Sequence, residues 1–244
     1  MFGRKNLTRL DEGLYQAVRA QGSNVYIITE PQLALVDAGF PIDTPFIRGA
    51  LKELGAGLED LRLVVATHYH GDHIGTISRL KRKGEVCAAI HSEDAPYTTG
   101  EIPFDKFKFR LSRLIFYYSL YPLFRYRYFT PDQHLKEGDV IPLLGGLEVL
   151  HTPGHSRGSI CLYDRARGLL FSGDLVRREK GILEGPPPQF TPDPDAAALS
   201  LGRLVELDFD MLLPGHGDPL RGGADTVYRN HFRSGALWPV AKVN

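Results

Sequence analysis

The residues best suited to chemistry lie between Thr67 and His73, where three histidines and one aspartate fall within six consecutive positions. They follow the apolar run Leu-Val-Val-Ala at 63–66, which predicts a buried strand. The polar cluster therefore occupies the loop at the C-terminal end of that strand, where binding sites of layered α/β folds gather. Imidazole and carboxylate groups at this density are costly to desolvate unless a cation holds them, so the segment predicts a divalent metal site.

The spacing within this loop supplies two pairs of ligands. In a tight loop, His68 and His70 point the same way, whereas Asp72 and His73 turn toward a neighbouring position. One pair alone is an incomplete tetrahedral site, so the remaining ligands must come from elsewhere in the chain. Three later residues each follow an apolar run and stand beside a glycine: His155, Asp174 and His216.

This pattern resembles the metallo-β-lactamase superfamily. The HxHxDH signature of that family matches residues 68–73, and its later single His, Asp and His positions match the three residues above in the same order. Val36-Asp37-Ala38-Gly39 is similar to its short acidic motif at a strand end. The resemblance covers roughly residues 20–220 and implies an α/β fold, the four-layer αββα sandwich, formed as a single domain over residues 1–244.

The resemblance also implies a ligand set. One metal would be held by His68, His70 and His155, the other by Asp72, His73 and His216, with the Asp174 carboxylate bridging both. Two divalent ions are expected, zinc first, with iron or manganese as alternatives. Asp72 and Asp174 are the carboxylates with implied catalytic roles. Asp37 is either a cap at its strand end or an outer support for a metal-bound histidine.

Hydrolysis is the reaction that the resemblance implies. By this resemblance, two bound cations would lower the pKa of a water between them to near neutrality, and the resulting hydroxide would attack an acyl carbonyl. Asp174 would orient that hydroxide. True β-lactamases generally lack the bridging aspartate, so the expected substrate is a small thioester, lactone or other carboxylic ester, as in the lactonases and the glyoxalase II-type thioesterases of the family.

Other functions of the same fold stay open at this point. A phosphodiesterase would use nearly the same ligands, and so would an iron-dependent persulfide dioxygenase or a related di-iron oxidoreductase. A non-catalytic scaffold is the remaining alternative. A panel of thioester, lactone and phosphodiester substrates distinguishes an ester hydrolase from a phosphodiesterase. Metal analysis of the purified protein distinguishes a hydrolase from the iron-dependent oxidoreductases.

The composition is that of an ordinary globular protein. The 29 basic residues balance the 29 acidic ones and the isoelectric point is about 7.1, which gives no electrostatic argument for a nucleic-acid partner. Cys87 and Cys161 lie in apolar runs and are expected to be buried thiols. No apolar segment of signal-peptide length follows the N-terminus, so a cytoplasmic location is expected.

Residues 96–135 form an aromatic-rich insertion between the first ligand loop and the later ligands. Arginines and Pro122 interrupt it too often for a bilayer span, which needs about 20 apolar residues, so two short helices joined near Pro122 are expected. We expect a lid over the site; a homodimer contact and a membrane-surface helix are the alternatives. The candidates for substrate contacts are Tyr118, Tyr121, Phe124 and Tyr126.

Flanking patterns predict two series of strands, each followed by helices. The first series is an antiparallel meander with strands at 14–18, 25–28 and 33–36, then a helix at 44–54, a helix at 74–83 and a strand at 85–90. The second series has strands at 140–143, 147–151, 159–163, 169–171 and 211–213, with helices at 195–207 and 224–232.

Three segments outside these elements carry further expectations. The stretch 175–195, rich in glycine and proline, predicts a stiff loop that walls the site. His91 and Glu93 are expected at the surface, and His151 in a structural or supporting role.

Overall fold

The computed structural model of the protein describes residues 6–18, 20–103 and 126–237. These residues form two compact units, one drawn from Met1–Ile90 and Asp94–His134, the other from His91–Glu93 and Leu135–Asn244. Each unit carries one large mixed sheet with helices. The expectation of a single domain over residues 1–244 stays a prediction.

The first unit carries a seven-stranded sheet in which the strands follow one another in chain order. Its strands are β1 (Leu7–Asp11), β2 (Leu14–Ala17), β3 (Val25–Ile28), β4 (Ala34–Val36), β5 (Leu63–Val65), β6 (Cys87–His91) and β7 (Gln133–Leu135). The first four strands pair antiparallel, and β4, β5 and β6 pair parallel. Parallel neighbours need crossover connections, and helices supply them.

Among its described residues, this unit has four helices: α1 (Thr44–Glu53), α2 (Gly71–Ile74), α3 (Ile77–Lys81) and α4 (Ala95–Thr99). Short 3₁₀ turns precede α1 and β5 at Pro41–Asp43 and Leu58–Asp60. Helix α1 connects β4 to β5 and buries Ile47 and Leu51 against sheet residues such as Val25, Ile27 and Leu35. This core holds β5 in place, because all three of its residues are buried.

The second unit carries a six-stranded sheet and a separate two-stranded hairpin. Its strands are β8 (Val140–Ile141), β9 (Leu147–His151), β10 (Ile160–Asp164), β11 (Leu169–Gly173), β12 (Arg177–Glu179), β13 (Ile182–Glu184), β14 (Met211–Pro214) and β15 (Leu220–Arg221). The large sheet has the order β15-β14-β11-β10-β9-β8, with β11 and β14 parallel. The hairpin pairs β12 with β13.

In the part of this unit that the structure describes, two helices cover the core: α5 (Pro194–Leu204) and α6 (Ala224–Arg233). The side chain of Asp193 accepts a hydrogen bond from the Ala196 amide and so caps the start of α5, where Pro194 occupies the first turn. Leu201 and Tyr228 of the two helices pack with Cys161 and other buried strand residues. Both cysteines of the chain are free thiols.

Most predicted elements are confirmed, with shifts at their ends. The antiparallel meander is present but has an additional first strand, β1. The helix expected at 74–83 begins only at Ile77, because α2 occupies the ligand loop itself. The stretch 175–195 is not one loop, since it contains the β12–β13 hairpin and a 3₁₀ turn at Pro188–Phe190.

The expectation for His91 is wrong. Glu93 is exposed as expected, but His91 is only 5% exposed. The ring of His91 stacks on that of His151, with centroids 4.0 Å apart and planes 13° from parallel. The local pattern of a histidine at a strand end indicates a surface residue, because it contains no sign of this distant stacking partner.

The larger part of the 96–135 insertion, including Tyr118, Tyr121 and Phe124, lies outside the described residues. The lid, dimer-contact and membrane-surface hypotheses for it stay predictions, as does the cytoplasmic location. Among the residues that the structure describes, no helix is long and apolar enough to cross a membrane.

Candidate metal centre

The ligand loop of the first unit begins where β5 ends. His68 is 1% exposed and His70 is partly buried, and the Nε2 atom of His68 lies 3.0 Å from the Nδ1 atom of His70. Asp72 and His73 stand in the single turn of α2, with the Asp72 carboxylate 3.9 Å from His73 Nε2. The structure therefore brings the four residues of this loop together as the spacing predicts.

Asp37 organises two of these histidines from the end of β4. It has a left-handed backbone (φ 59°) and is 1% exposed. One carboxylate oxygen accepts hydrogen bonds from the Thr67 amide at 2.8 Å, and the other lies 2.9 Å from both the Thr67 hydroxyl and His73 Nδ1. His73 Nδ1 therefore donates to Asp37, which keeps the lone pair of His73 on Nε2.

Thr67 extends this network to His68. Because its hydroxyl proton points to Asp37, its oxygen accepts from His68 Nδ1 at 3.1 Å. His68 is thereby held in the same tautomer as His73, with its lone pair on Nε2. Two buried imidazoles are thus oriented to present Nε2 as a ligand atom.

The predicted ligands of the second unit also converge, on Asp174. One oxygen of its carboxylate lies 3.4 Å from His155 Nε2 and the other 3.4 Å from His216 Nε2. Asp174 and His155 are buried, whereas the His216 side chain is 30% exposed. Each oxygen of the Asp174 carboxylate therefore lies beside a different imidazole, and the predicted bridging of two metals by Asp174 stays a prediction.

Glycines make the close approaches around Asp174 and His216 possible. A Cβ atom at Gly215 would overlap an Asp174 carboxylate oxygen and lie 2.9 Å from the Gly173 backbone. Gly217 forms a β-bridge with Arg178, and a Cβ at Gly217 would overlap the Arg178 carbonyl. The Arg178 amide donates to the His216 carbonyl at 2.9 Å. The β12 strand therefore fixes the backbone of His216.

His155 is placed by a loop of small residues between β9 and β10. The Thr152 amide donates to the Ser159 carbonyl and the Gly154 amide to the Ser156 carbonyl, which closes the loop on itself. Gly154 has φ 132°, and a Cβ there would overlap the Ala197 amide of α5. This packing holds the loop in the orientation that turns His155 toward Asp174.

The distances within each unit fit a divalent metal. Zinc–nitrogen bonds of about 2.0–2.1 Å give a tetrahedral ligand–ligand edge of roughly 3.3–3.4 Å. The His68–His70 separation of 3.0 Å and the two separations of 3.4 Å around Asp174 are close to that edge. The ligand atoms of Asp72 and His73, and of His68 and His73, also lie within 4.8 Å of one another.

Of the four candidates for substrate contacts, Tyr126 is the one that lies among the described residues. Its hydroxyl donates to the Tyr97 carbonyl at 3.1 Å, and its contact with a substrate stays a prediction. Sequence reasoning missed Thr67, whose position directly before the first histidine is the only local signal for it. It also missed the buried Asp94, whose carboxylate accepts from the Tyr69 amide at 3.0 Å and which no local pattern marks.

Comparison with known proteins identifies the family pattern independently. Residues 18–216 match the family model of the metallo-beta-lactamase superfamily. A Bacillus subtilis (strain 168) protein named probable metallo-hydrolase YflN is 34% identical over 221 residues, which cover 83% of this chain and 83% of that protein. A Gallus gallus protein named acyl-coenzyme A thioesterase MBLAC2 is 33% identical over 220 residues, covering 85% and 76% of the two chains.

Solved structures share the fold. The metallo-beta-lactamase family protein TTHA1429 from Thermus thermophilus has a TM-score of 0.71 at 22% identity, with 93% of this chain and 80% of that chain covered. BJP-1, a subclass B3 metallo-beta-lactamase of Bradyrhizobium japonicum, has a TM-score of 0.69 at 21% identity, with 94% and 91% covered. At these identities the likeness concerns the fold alone, and it confirms the predicted α/β sandwich.

Proposed function

Because this chain belongs to the metallo-β-lactamase superfamily and is a metallo-hydrolase, we propose that it is a dinuclear enzyme that hydrolyses a thioester or related carboxylic ester. The His and Asp clusters of both units are made of groups that bind divalent metals. The number of metals, their identity and the substrate are the parts that we propose.

The arrangement of Asp174 carries the two-metal proposal. Each of its carboxylate oxygens faces a different imidazole at 3.4 Å. Asp174 therefore offers one ligand atom beside His155 and a second ligand atom beside His216. A site for a single ion needs only one of these oxygens. We therefore assign His68, His70 and His155 to one ion and Asp72, His73 and His216 to the other, with Asp174 shared, as family membership implies.

Two bound divalent cations supply Lewis-acid activation of a carbonyl and a water of lowered pKa. The residues of the chain provide orientation. Asp37 and Thr67 hold His73 and His68 in the tautomers that direct Nε2 to the ligand side. Asp174 lies so close to Gly215 that any side chain at position 215 would overlap its carboxylate. In this position the carboxylate can orient a water and accept its proton.

The thioester is favoured among acyl substrates by the relatives. The chicken protein of 33% identity is named an acyl-coenzyme A thioesterase, and this chain covers 76% of it. A thiolate is a good leaving group, so thioester hydrolysis demands little from a general acid. We further propose that an apolar acyl portion of the substrate binds beneath the 96–135 insertion; a homodimer contact and a membrane-surface helix are the alternative roles of that segment.

The experiment combines metal analysis with a substrate panel. Purified protein loaded with zinc or manganese is assayed against an acyl-coenzyme A, a lactone and bis(p-nitrophenyl) phosphate. We expect two metals per chain and a preference for the thioester. A clear preference for the phosphodiester would overturn the substrate assignment. In protein purified without added metal, one iron per chain together with oxygen uptake on a persulfide would replace hydrolysis by oxidation.

An Asp174→Ala variant tests the bridging role. We expect it to lose both metal occupancy and turnover, because one change removes a ligand atom from each ion. Asp164→Ala is the matched control, since Asp164 is also fully buried but accepts hydrogen bonds from the Gly145 and Arg167 amides. Asp174→Ala with two metals and a normal rate would refute the dinuclear assignment.

A further inference from the structure

Tyr69 stands between the first two ligand residues of the HxHxDH loop and has no role in the metal chemistry described above. Its side chain is 8% exposed, and its ring meets that of His70 with centroids 4.8 Å apart and planes at 66°. An edge contact at this separation is a favoured arrangement of two rings, so turning either ring would give up that contact. His70 is thus touched on one side by a side chain that is itself immobilised.

The ring of Tyr69 is also stacked on that of Tyr97. The two ring centroids are 4.0 Å apart and the planes are 12° from parallel, and Tyr97 is itself only 9% exposed. Tyr97 lies in α4, and its carbonyl accepts from the Tyr126 hydroxyl at 3.1 Å. The plane against which Tyr69 rests is therefore braced by the returning end of the 96–135 insertion.

The backbone of Tyr69 is fixed by the same helix. Its amide donates to the carboxylate of Asp94 at 3.0 Å, and Asp94 is completely buried at the residue preceding α4. The Asp94 carbonyl in turn accepts from the Tyr97 amide at 3.1 Å. Main chain and side chain of Tyr69 are consequently held from one short segment, Asp94–Tyr97.

We propose that Tyr69, clamped by Asp94 and Tyr97, is the positioning residue of the metal ligand His70. The proposal rests on the metal site proposed above. His68 and His73 are oriented through hydrogen bonds to their Nδ1 atoms. His70 instead directs Nδ1 toward His68, and the immobilised Tyr69 ring limits how far the imidazole can turn. Loss of the Tyr69 ring loosens His70 without removing any ligand atom.

The test measures metal affinity at each of the two sites. Wild type, Tyr69→Leu and Tyr69→Phe are titrated with cobalt against a chromophoric chelator, and the ligand-field absorption is recorded. We expect Tyr69→Phe to match wild type because the ring is retained. Tyr69→Leu should lower the affinity for one cobalt ion by about tenfold, as loss of a residue that orients a ligand does, and shift the absorption band of that ion. The affinity for the other ion should stay unchanged.

Tyr228→Leu is the control for simple loss of stability. Tyr228 is fully buried in α6 of the second unit, where its hydroxyl donates to the Leu201 carbonyl at 2.6 Å. We expect it to lower the melting temperature of the metal-free protein and to leave both cobalt affinities unchanged. If Tyr69→Leu does not fold, Tyr97→Leu removes the stacked plane and should weaken the same ion by a smaller factor.

The outcomes separate the two proposals. Wild-type protein that binds no cobalt would overturn the metal site and, with it, the positioning role. Wild-type protein with two cobalt ions and a Tyr69→Leu variant of equal affinities would overturn only the positioning role. A Tyr228→Leu variant that weakens the same ion as Tyr69→Leu would do so too, because general destabilisation would then explain both.

Discussion

Replacing Asp37 by asparagine changes how His73 is oriented while keeping His73 itself in the chain. The carboxylate accepts from the Thr67 amide on one oxygen and from His73 Nδ1 and the Thr67 hydroxyl on the other. An asparagine has nearly the same shape and tolerates the left-handed backbone of this position. Either orientation of its amide, however, sets an NH₂ group against a donor of Thr67 or His73.

The cost follows from the adjustment that resolves this conflict. If the NH₂ group faces His73, the ring must accept on Nδ1 and therefore carry its proton on Nε2, where the metal would bind. Removal of an orienting outer partner typically weakens metal binding by about 10–100-fold, which corresponds to roughly 1.4–2.7 kcal/mol. A buried donor left unsatisfied would also lower the free energy of unfolding by about 1–3 kcal/mol.

The assay is a zinc titration of the metal-free protein against a chromophoric chelator, combined with urea unfolding. Asp164→Asn is the matched control, because Asp164 is buried and accepts only from backbone amides in the hydrogen bonds described above. It should lower stability without changing metal affinity. Asp37→Asn protein that binds both ions as tightly as wild type would refute the orienting role of the carboxylate.

Three further outcomes follow from the structure. Gly215→Ala should weaken metal binding about tenfold, because its Cβ would overlap an Asp174 oxygen. Gly202→Ala is its control: the added Cβ meets nothing closer than 3.8 Å, so metal binding should stay intact and the helix should be stabilised by up to about 1 kcal/mol. Metal titration and urea unfolding check both variants. Burial, and next the neighbouring imidazole, lower the pKa of His91 to about 4, so stability present above pH about 6.5 should fall as the pH drops toward 4, by up to about 3 kcal/mol. Unfolding curves that do not differ between wild type and His91→Phe over that range would contradict this assignment. Burial raises the pKa of Cys161 to about 12, so iodoacetamide at pH 8 should leave it unmodified in the native protein, as peptide mass spectrometry can verify.

Within this site, the parts that depend on local spacing were predictable. The segment at residues 68–73 carries its four candidate ligand groups between one strand end and one helical turn, so their proximity follows from their closeness in the chain. The positions of the later candidate ligands are also predictable from local sequence. An apolar run before each of them predicts a strand, and the candidate lies at or near the end of that strand. Strand and helix positions likewise follow local periodicity.

Other features were decided only by tertiary structure, because they join residues that are remote in the chain. The sequence favours a strand cap and a supporting role equally for Asp37, and only the parallel pairing of β4 with β5 sets its carboxylate against Thr67 and His73. His91 has the local pattern of a surface residue, and only the fold stacks it on His151. Tyr69 carries no local signal at all for its contact with Tyr97, 28 positions later.

The amino-acid sequence by itself thus determined which groups can bind metal and at which strand ends they stand. The tertiary structure decided which side chains hold those groups in a ligating tautomer and rotamer. The physical reason is that a ligand needs only the correct atom type near a turn, whereas its orientation depends on hydrogen bonds and ring contacts from strands and helices that meet only after the sheets have formed.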